Sequence, residues 1–388
     1  MTDTNEIIKK IQVSGIRRFD EAISDIPDII KLTVGEPDLP TPEHIKKAGI
    51  QAIQHDFSHY SPLMGFQKLQ VAASRYFNQK YGLTYAPSEI IATVGATEAV
   101  ATALLTVLNP GDGVLLPTPS YTSYAPVVAM AHANLVPIDT TQSGYKLTPA
   151  KLATTIQAHA GQHLKAIILN YPTNPTGVTY SKAELMALVA VIRQAGLLVI
   201  SDEIYSEITY DQPHTALGTL YPEKTITING LSKSHAMTGW RLGLIMAPQA
   251  LINEMKKTHQ YLVTSTSSIS QVAGIEALTN GLDDGPKMRE IYQQRRDYLV
   301  ARLSEIGINY VYPSGAFYLF AQVPANFHGT SWDFATQLAQ QAQVAVIPGS
   351  AFGPTGEGWF RISYAASQSA LRDSMNRLAT WLTDFETN

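Results

Sequence analysis

The sequence predicts an α/β fold in which a mainly parallel sheet, covered by helices on both faces, is joined to a smaller α+β lobe. Three observations predict it. Short apolar runs of strand length alternate with longer helix-patterned stretches. Each run stops at Gly, Pro or a polar cluster. After Asp284 the pattern changes to one long charged amphipathic stretch followed by alternating segments.

Taken in order, Glu89 to Val94 (EIIATV) reads as a strand, Gly95 breaks it, and Ala96 to Leu108 reads as the next helix. Gly113 to Leu116 is a second strand, stopped by Pro117-Thr118-Pro119; Lys165 to Leu169 and Leu197 to Ile200 are the next two, and Thr225 to Ile228 a further short one. Each is continuously apolar rather than alternating, as a strand buried on both faces should be. Pro286 to Ile306 predicts a long helix, and the alternation near Asn309 to Val323 and Val344 to Ile347 predicts antiparallel strands. At 388 residues the chain exceeds the size of one ordinary core. The expected division is 46–283 as a large domain and 284–388 as a small one, with residues 1–45 joining the latter.

Composition excludes several functions. A net charge of −4 offers no basic footprint for nucleic acid, and the absence of cysteine rules out disulfides, thiolate metal sites and a catalytic thiol. No metal is expected. Met1 to Lys10 is polar and mixed in charge, unlike a secretory signal, and no apolar run has the length of a membrane span. A soluble cytoplasmic protein acting on small molecules is the expectation.

In open parallel sheets ligands bind beyond the carboxyl ends of the strands. The segment after each apolar run in this chain is polar: Gly95-Ala96-Thr97, Ser120-Tyr121, Asn174-Pro175-Thr176-Gly177 and Ser201-Asp202-Glu203-Ile204-Tyr205. Lys233 comes just after the strand at Thr225 amid small and hydroxylated neighbours, with Arg241 eight residues on between Gly239 and Gly243. A desolvated amine has a lowered pKa and can form a Schiff base with an aldehyde, while an arginine fork suits a phosphate. A surface loop with a helix cap reads equally well from spacing alone. Asp202 is either the N-cap of the next helix or a buried carboxylate waiting for a cation. Gly95-Ala96-Thr97 at a helix start offers amides to an anion, and no GxGxxG or GxxxxGK[ST] pattern accompanies it. Arg361 is a lone cation in an apolar alternating segment, facing either solvent or an anion such as a substrate carboxylate.

These pieces in this order resemble the class I/II aminotransferases of pyridoxal-5'-phosphate (PLP) fold type I. The resemblance runs through Gly35-Glu-Pro-Asp38, Tyr60-Ser-Pro62, Gly95-Ala-Thr97, Pro119-Ser-Tyr121, Asn174-Pro-Thr-Gly177, Ser201-Asp-Glu-Ile-Tyr205, Ser232-Lys233 with Gly239-Trp-Arg241, and Arg361. It implies PLP as cofactor, tethered to Lys233, which then shuttles the substrate proton. Asp202 would pair with the pyridine nitrogen, Asn174 and Tyr205 would bond the ring's phenolic oxygen, and Tyr121 would stack on the ring. Ala96, Thr97 and Arg241 would hold the phosphate. Gly35, Asn174 and Arg361 would bind the substrate α-carboxylate, and Tyr60 would cross to the partner's cofactor in a homodimer with shared sites. Cis bonds before Pro119 and Pro175 are also implied. One departure stands out: many relatives carry a phosphate-binding serine three residues before the lysine, where this chain has Gly230, with the hydroxyl at Ser232 instead.

The stretch Gly230 to Gly243, with His259 to Val263 and Pro313 to Tyr318, is similar to a bacterial subgroup containing aromatic-amino-acid and N-acetyl-LL-diaminopimelate aminotransferases. The implied reaction moves an amino group from such an amino acid to a 2-oxo acid such as 2-oxoglutarate by a ping-pong route. A PLP-dependent C–S β-lyase and a non-catalytic PLP-binding regulator are the alternatives.

Overall fold

Runs of Val, Ile and Leu with no polar alternation have no face to give to water, so they must be sandwiched. In the computed structural model of the chain, which describes residues 3–387, they are. The first strand in chain order, β1 (Ile30–Lys31), belongs to the N-terminal segment. The next seven build one sheet: β2 (Ile90–Val94), β3 (Gly113–Thr118), β4 (Asn134–Asp139), β5 (Leu164–Asn170), β6 (Leu198–Asp202), β7 (Thr225–Gly230) and β8 (Leu242–Met246). Their spatial order is β2-β8-β7-β6-β5-β3-β4, and β8 alone runs against the others.

The two faces separate by the period of two. Ile168, Ile200, Ile226 and Ile228 pack with Ala99, Val100 and Leu104 of helix Gly95–Val107 and with Ile252 and Met255 of helix Gln249–Val263. Ile167, Leu169 and Val199 point the other way, onto Leu185, Leu188 and Ile192 of helix Lys182–Gln194. That helix starts in a capping box between Ser181 and Glu184. All these side chains except Val100 are 0–1% exposed, and each fully buried Ile, Leu, Val or Met among them contributes roughly 1.5–3 kcal/mol.

The expected long helix spans Asp284–Ile306, two residues earlier than the sequence pattern predicts because Asp284 and Gly285 already adopt its first turn. Beyond it lie β9 (Tyr310–Val311), β10 (Tyr318–Gln322), β11 (Val344–Ala345), β12 (Ile347–Pro348) and β13 (Trp359–Ser363). The single run Val344 to Ile347 is divided between two sheets. β11 pairs in parallel with β1, whereas β12 joins the antiparallel sheet β12-β13-β10-β9. Phe19, Ile23 and Leu32 from the N-terminal segment share a core with Phe320, Phe334, Ile347 and Leu378. Among the described residues, no helix is long and apolar enough to cross a membrane.

Candidate active site

Because β2, β3, β5, β6 and β7 run in the same direction, their carboxyl ends share one edge, and antiparallel β8 begins there. The polar segments singled out in the sequence therefore converge. A cavity of about 750 Å³ opens at this edge. Gly35, Ala96, Thr97, Tyr121, Asn174, Asp202, Tyr205, Ser232, Lys233, Arg241 and Arg361 all line it. Tyr60 does not: it is 87% exposed on the loop before helix Gln67–Tyr81.

An anion cradle forms where β2 ends. Gly95 takes a left-handed φ of +74°, and a Cβ there would stand 2.5 Å from Nη2 of Arg241. Only glycine lets the guanidinium lie this close to the first turn of helix Gly95–Val107, whose leading amides lack intrahelical partners. The pairing of Val94 with Leu242 is what brings Arg241 to this spot. Arg241 Nη1 donates to Thr238 O at 3.0 Å, leaving donors for a ligand.

Lys233 and Asp202 face the same cavity with opposite problems. Lys233 Nζ donates to Gly35 O at 2.6 Å, and burial lowers its pKa to about 8. Asp202, 4% exposed, accepts from Tyr124 Oη at 2.7 Å and from the Ile204 amide at 3.2 Å. Burial, only partly offset by those donors, raises its pKa to about 6. Both groups are short of a counter-charge.

Arg361, from the middle of β13, is 1% exposed. The outward-facing alternative is thereby excluded. Nη1 donates to Asn174 Oδ1 at 2.9 Å and Nη2 to Thr33 O at 2.6 Å, while Nε has no partner. Rings of Tyr318 and Phe352 flank it at 4.4 and 5.0 Å, and among the described residues no carboxylate pairs with it. Its pKa is lowered by burial. Asn174, its oxygen committed to Arg361, retains its amide nitrogen as a donor. Tyr205 Oη lies 2.7 Å from Tyr318 Oη, and a Cβ on Gly35 would come equally close to Tyr318. Peptide bonds before Pro119 and Pro175 are cis as expected, and so is Tyr171–Pro172, which was not.

Three contributors are missed by sequence reasoning. Tyr124 is three residues beyond Tyr121 and opens the helix Tyr124–Met130; Asn170 ends β5; and Tyr318 lies in a stretch that signals only subgroup likeness. Arg17 also lines the cavity, whereas Arg18 bonds Gln12 and lies over Trp332.

A flat ring bearing a phosphate, a protonatable nitrogen and an aldehyde meets each unmet demand: cradle for anion, Asp202 for a ring cation, Lys233 for the aldehyde carbon. The residues present fit PLP.

A family model described as "Aminotransferase class I and II" matches residues 27–378. A probable N-acetyl-LL-diaminopimelate aminotransferase of Bacillus subtilis is 44% identical, covering 96% of this chain and 94% of its own length. Aromatic-amino-acid aminotransferase 2 of Thermococcus litoralis is 34% identical, covering 96% of each. The solved structure of Thermus thermophilus aspartate aminotransferase with maleate superposes with a TM-score of 0.92 at 33% identity, over 98% of this chain and all of the other. With its fold and sequence matched over nearly all of its length, the chain belongs to the class I and II aminotransferases, on the fold type I scaffold, and is an enzyme that transfers amino groups.

Proposed function

We propose that the protein binds PLP at this edge and transfers the amino group of an aromatic or N-acetyl-diaminopimelate-like amino acid to a 2-oxo acid such as 2-oxoglutarate. The observation that carries the reading is the pairing, in one cavity, of a lysine whose pKa is lowered to about 8 with a buried carboxylate that lacks a cation. When bound, the cofactor supplies an electron-withdrawing ring conjugated to the substrate nitrogen, which acidifies the substrate Cα–H.

The chain's own groups do the rest. Lys233 tethers the cofactor. With the cofactor bound, its amine, close enough to neutrality at physiological pH, would be the group that takes the proton from the substrate Cα and gives it back. Asp202, hydrogen-bonded by Tyr124, holds the ring nitrogen protonated. Asn174 and Tyr205 donate to the phenolic oxygen, Tyr121 covers the ring, and Ala96, Thr97, Arg241 and Ser232 bind phosphate. Arg361 and the Gly35 turn receive the α-carboxylate, a role favoured by the guanidinium's lack of any carboxylate partner. Tyr60, exposed and away from its own cavity, serves the site of a second copy in a homodimer. The domain division at residues 45 and 283 belongs to this proposal, supported by the pairing of β1 with β11, as does a cytoplasmic setting.

Borohydride reduction of the PLP-loaded protein followed by peptide mapping should give a pyridoxyl adduct at Lys233; an adduct elsewhere, or none, ends the proposal. A donor panel with phenylalanine, tyrosine, aspartate and N-acetyl-diaminopimelate against 2-oxoglutarate then ranks substrates. Ammonia and pyruvate from cystathionine without an acceptor would indicate the lyase instead.

A further inference from the structure

His259 is a histidine with 0% exposure that takes no part in the chemistry above, and its two ring nitrogens face different parts of the molecule. Nε2 lies 2.9 Å from the carbonyl oxygen of Leu63, in the loop that carries Tyr60. A carbonyl can only accept, so Nε2 bears a hydrogen. Nδ1 lies 2.9 Å from Glu98 Oε1. One further proton is held between ring and carboxyl, whichever of them owns it.

Glu98 stands in the first turn of helix Gly95–Val107, directly behind the anion cradle. Its Oε2 accepts the Val94 amide at 2.7 Å, the last backbone donor before Gly95, and Thr102 Oγ1 donates to Oε1 at 2.8 Å. A continuous path, buried at its centre and half-buried at its ends, therefore runs from Leu63 through His259 and Glu98 to Val94. Other groups also anchor the loop. Gln271 bonds Phe66 and Ser61, Ser268 bonds His59, and Ala92 donates to Met64 O. Among the described residues these tie it to helix Ser268–Asn280 or to the middle of β2, while the imidazole carries it on to the cradle.

Exposed large apolar side chains flank both ends of the histidine's reach in sequence. Tyr60 and Tyr261, each within three residues of a path member, are 87% and 88% exposed, with Ile50, Ile53 and Phe57 exposed nearby in sequence. A monomer gains nothing by presenting such a set to water, whereas a second copy would cover it.

We infer that Glu98 and His259 are a positioning pair that couples phosphate binding in the cradle to docking of the second subunit, an inference that rests on the cofactor and dimer reading above. The pair holds the Val94–Gly95 turn and the Tyr60 loop as one rigid unit. Ordering either end therefore lowers the cost of ordering the other. Linkage requires that loading both sites with PLP tighten the dimer by the square of the per-site factor by which dimerisation tightens PLP binding.

That factor is the test. Dimer dissociation of wild type is measured by sedimentation with and without PLP, and PLP affinity by absorbance titration above and below the dimer dissociation constant. A coupling of at least about tenfold is expected in wild type. In His259→Gln it should fall at least about threefold, to what Tyr60 carries directly to the partner's cofactor, while Thr102→Val, which leaves the path intact, keeps it. Glu98→Gln should also keep it, since an amide can still accept from Val94 and donate to an unprotonated Nδ1. A merely destabilising change would weaken both equilibria and leave their coupling alone; an unchanged factor in His259→Gln overturns the inference.

If His259→Gln does not fold, wild type decides. Amide exchange at residues 94–97 should speed up at least about tenfold on dilution to monomer, and equal protection in both states overturns the coupling. Wild type that forms no Lys233 adduct refutes the cofactor reading, whereas wild type that binds PLP and dimerises with a factor of one refutes this inference and the place of Tyr60 at the partner's cofactor, leaving the cofactor reading standing.

Discussion

Asp202 and Glu203 leave the same strand end in opposite directions and meet opposite fates. Glu203, 1% exposed, turns away from the cavity. It accepts from Ser201 Oγ at 2.7 Å, the Leu217 amide at 3.1 Å and Tyr171 Oη at 3.2 Å, with His214 Nε2 at 2.7 Å. Asp202 has two donors and a pKa raised to about 6. One carboxylate is saturated by the fold; the other is left short of partners. The same contrast separates the arginines. Arg295 holds Asp38 through two bonds of 2.7 and 2.9 Å, whereas Arg361 meets no carboxylate among the described residues. Buried polar groups are normally satisfied, so an under-satisfied one at a cavity marks where a ligand completes the structure.

The contrast breaks if the two acids respond alike. Asp202→Ala should lower kcat by roughly 10²–10³ through loss of the ring's counter-charge, with unfolding stability little changed. Glu203→Gln should do the reverse, costing on the order of 3 kcal/mol in urea unfolding while kcat stays within about threefold. Equal losses of kcat in both variants would abolish the distinction.

The arginines give the next, smaller effect. Arg361→Ala should raise KM for amino and oxo acids about 30- to 100-fold, the worth of a charge-assisted pair, with a lesser change in kcat. Arg295→Ala should cost on the order of 2 kcal/mol of stability and leave KM alone. A KM shift in the second variant would mean that Asp38, not saturation, governs the site.

Much of the site is legible in the sequence, and the reason is geometric. A buried parallel strand must be apolar throughout, so its end is visible as a sudden polar residue, and ligands sit at such ends. Asp202, Asn174, Lys233 and Thr97 stand out that way. Arg361 stays between two readings, because alternation gives a period but not which face is buried. Tyr124 and Tyr318 escape because a tyrosine's spacing does not reveal whether its hydroxyl meets a carboxylate or merely fills a core. The split of Val344 to Ile347 between two sheets is equally hidden: it depends on β1, more than 300 residues earlier in the chain. The Glu98–His259 contact spans 161 residues and carries no local pattern.

The smallest effect tests the electrostatic origin of the contrast in protein freed of cofactor. Asp202 has a folded pKa of about 6 against 3.8 for the unbound side chain, so folding favours its protonated form. Its stabilising contribution is fully present below about pH 4 and is lost as pH rises through 6. Over this window Lys233, whose folded pKa is about 8, stays charged, so its own linkage does not intrude. Asparagine at position 202 is neutral throughout. The stability of Asp202→Asn relative to wild type should therefore rise between pH 4 and 6 and level off above, by at most about 3 kcal/mol. Added PLP should shrink the Asp202→Asn advantage, since a ring cation then meets the carboxylate the fold leaves unpaired. An advantage that is flat with pH would place the demand for a cation somewhere other than burial.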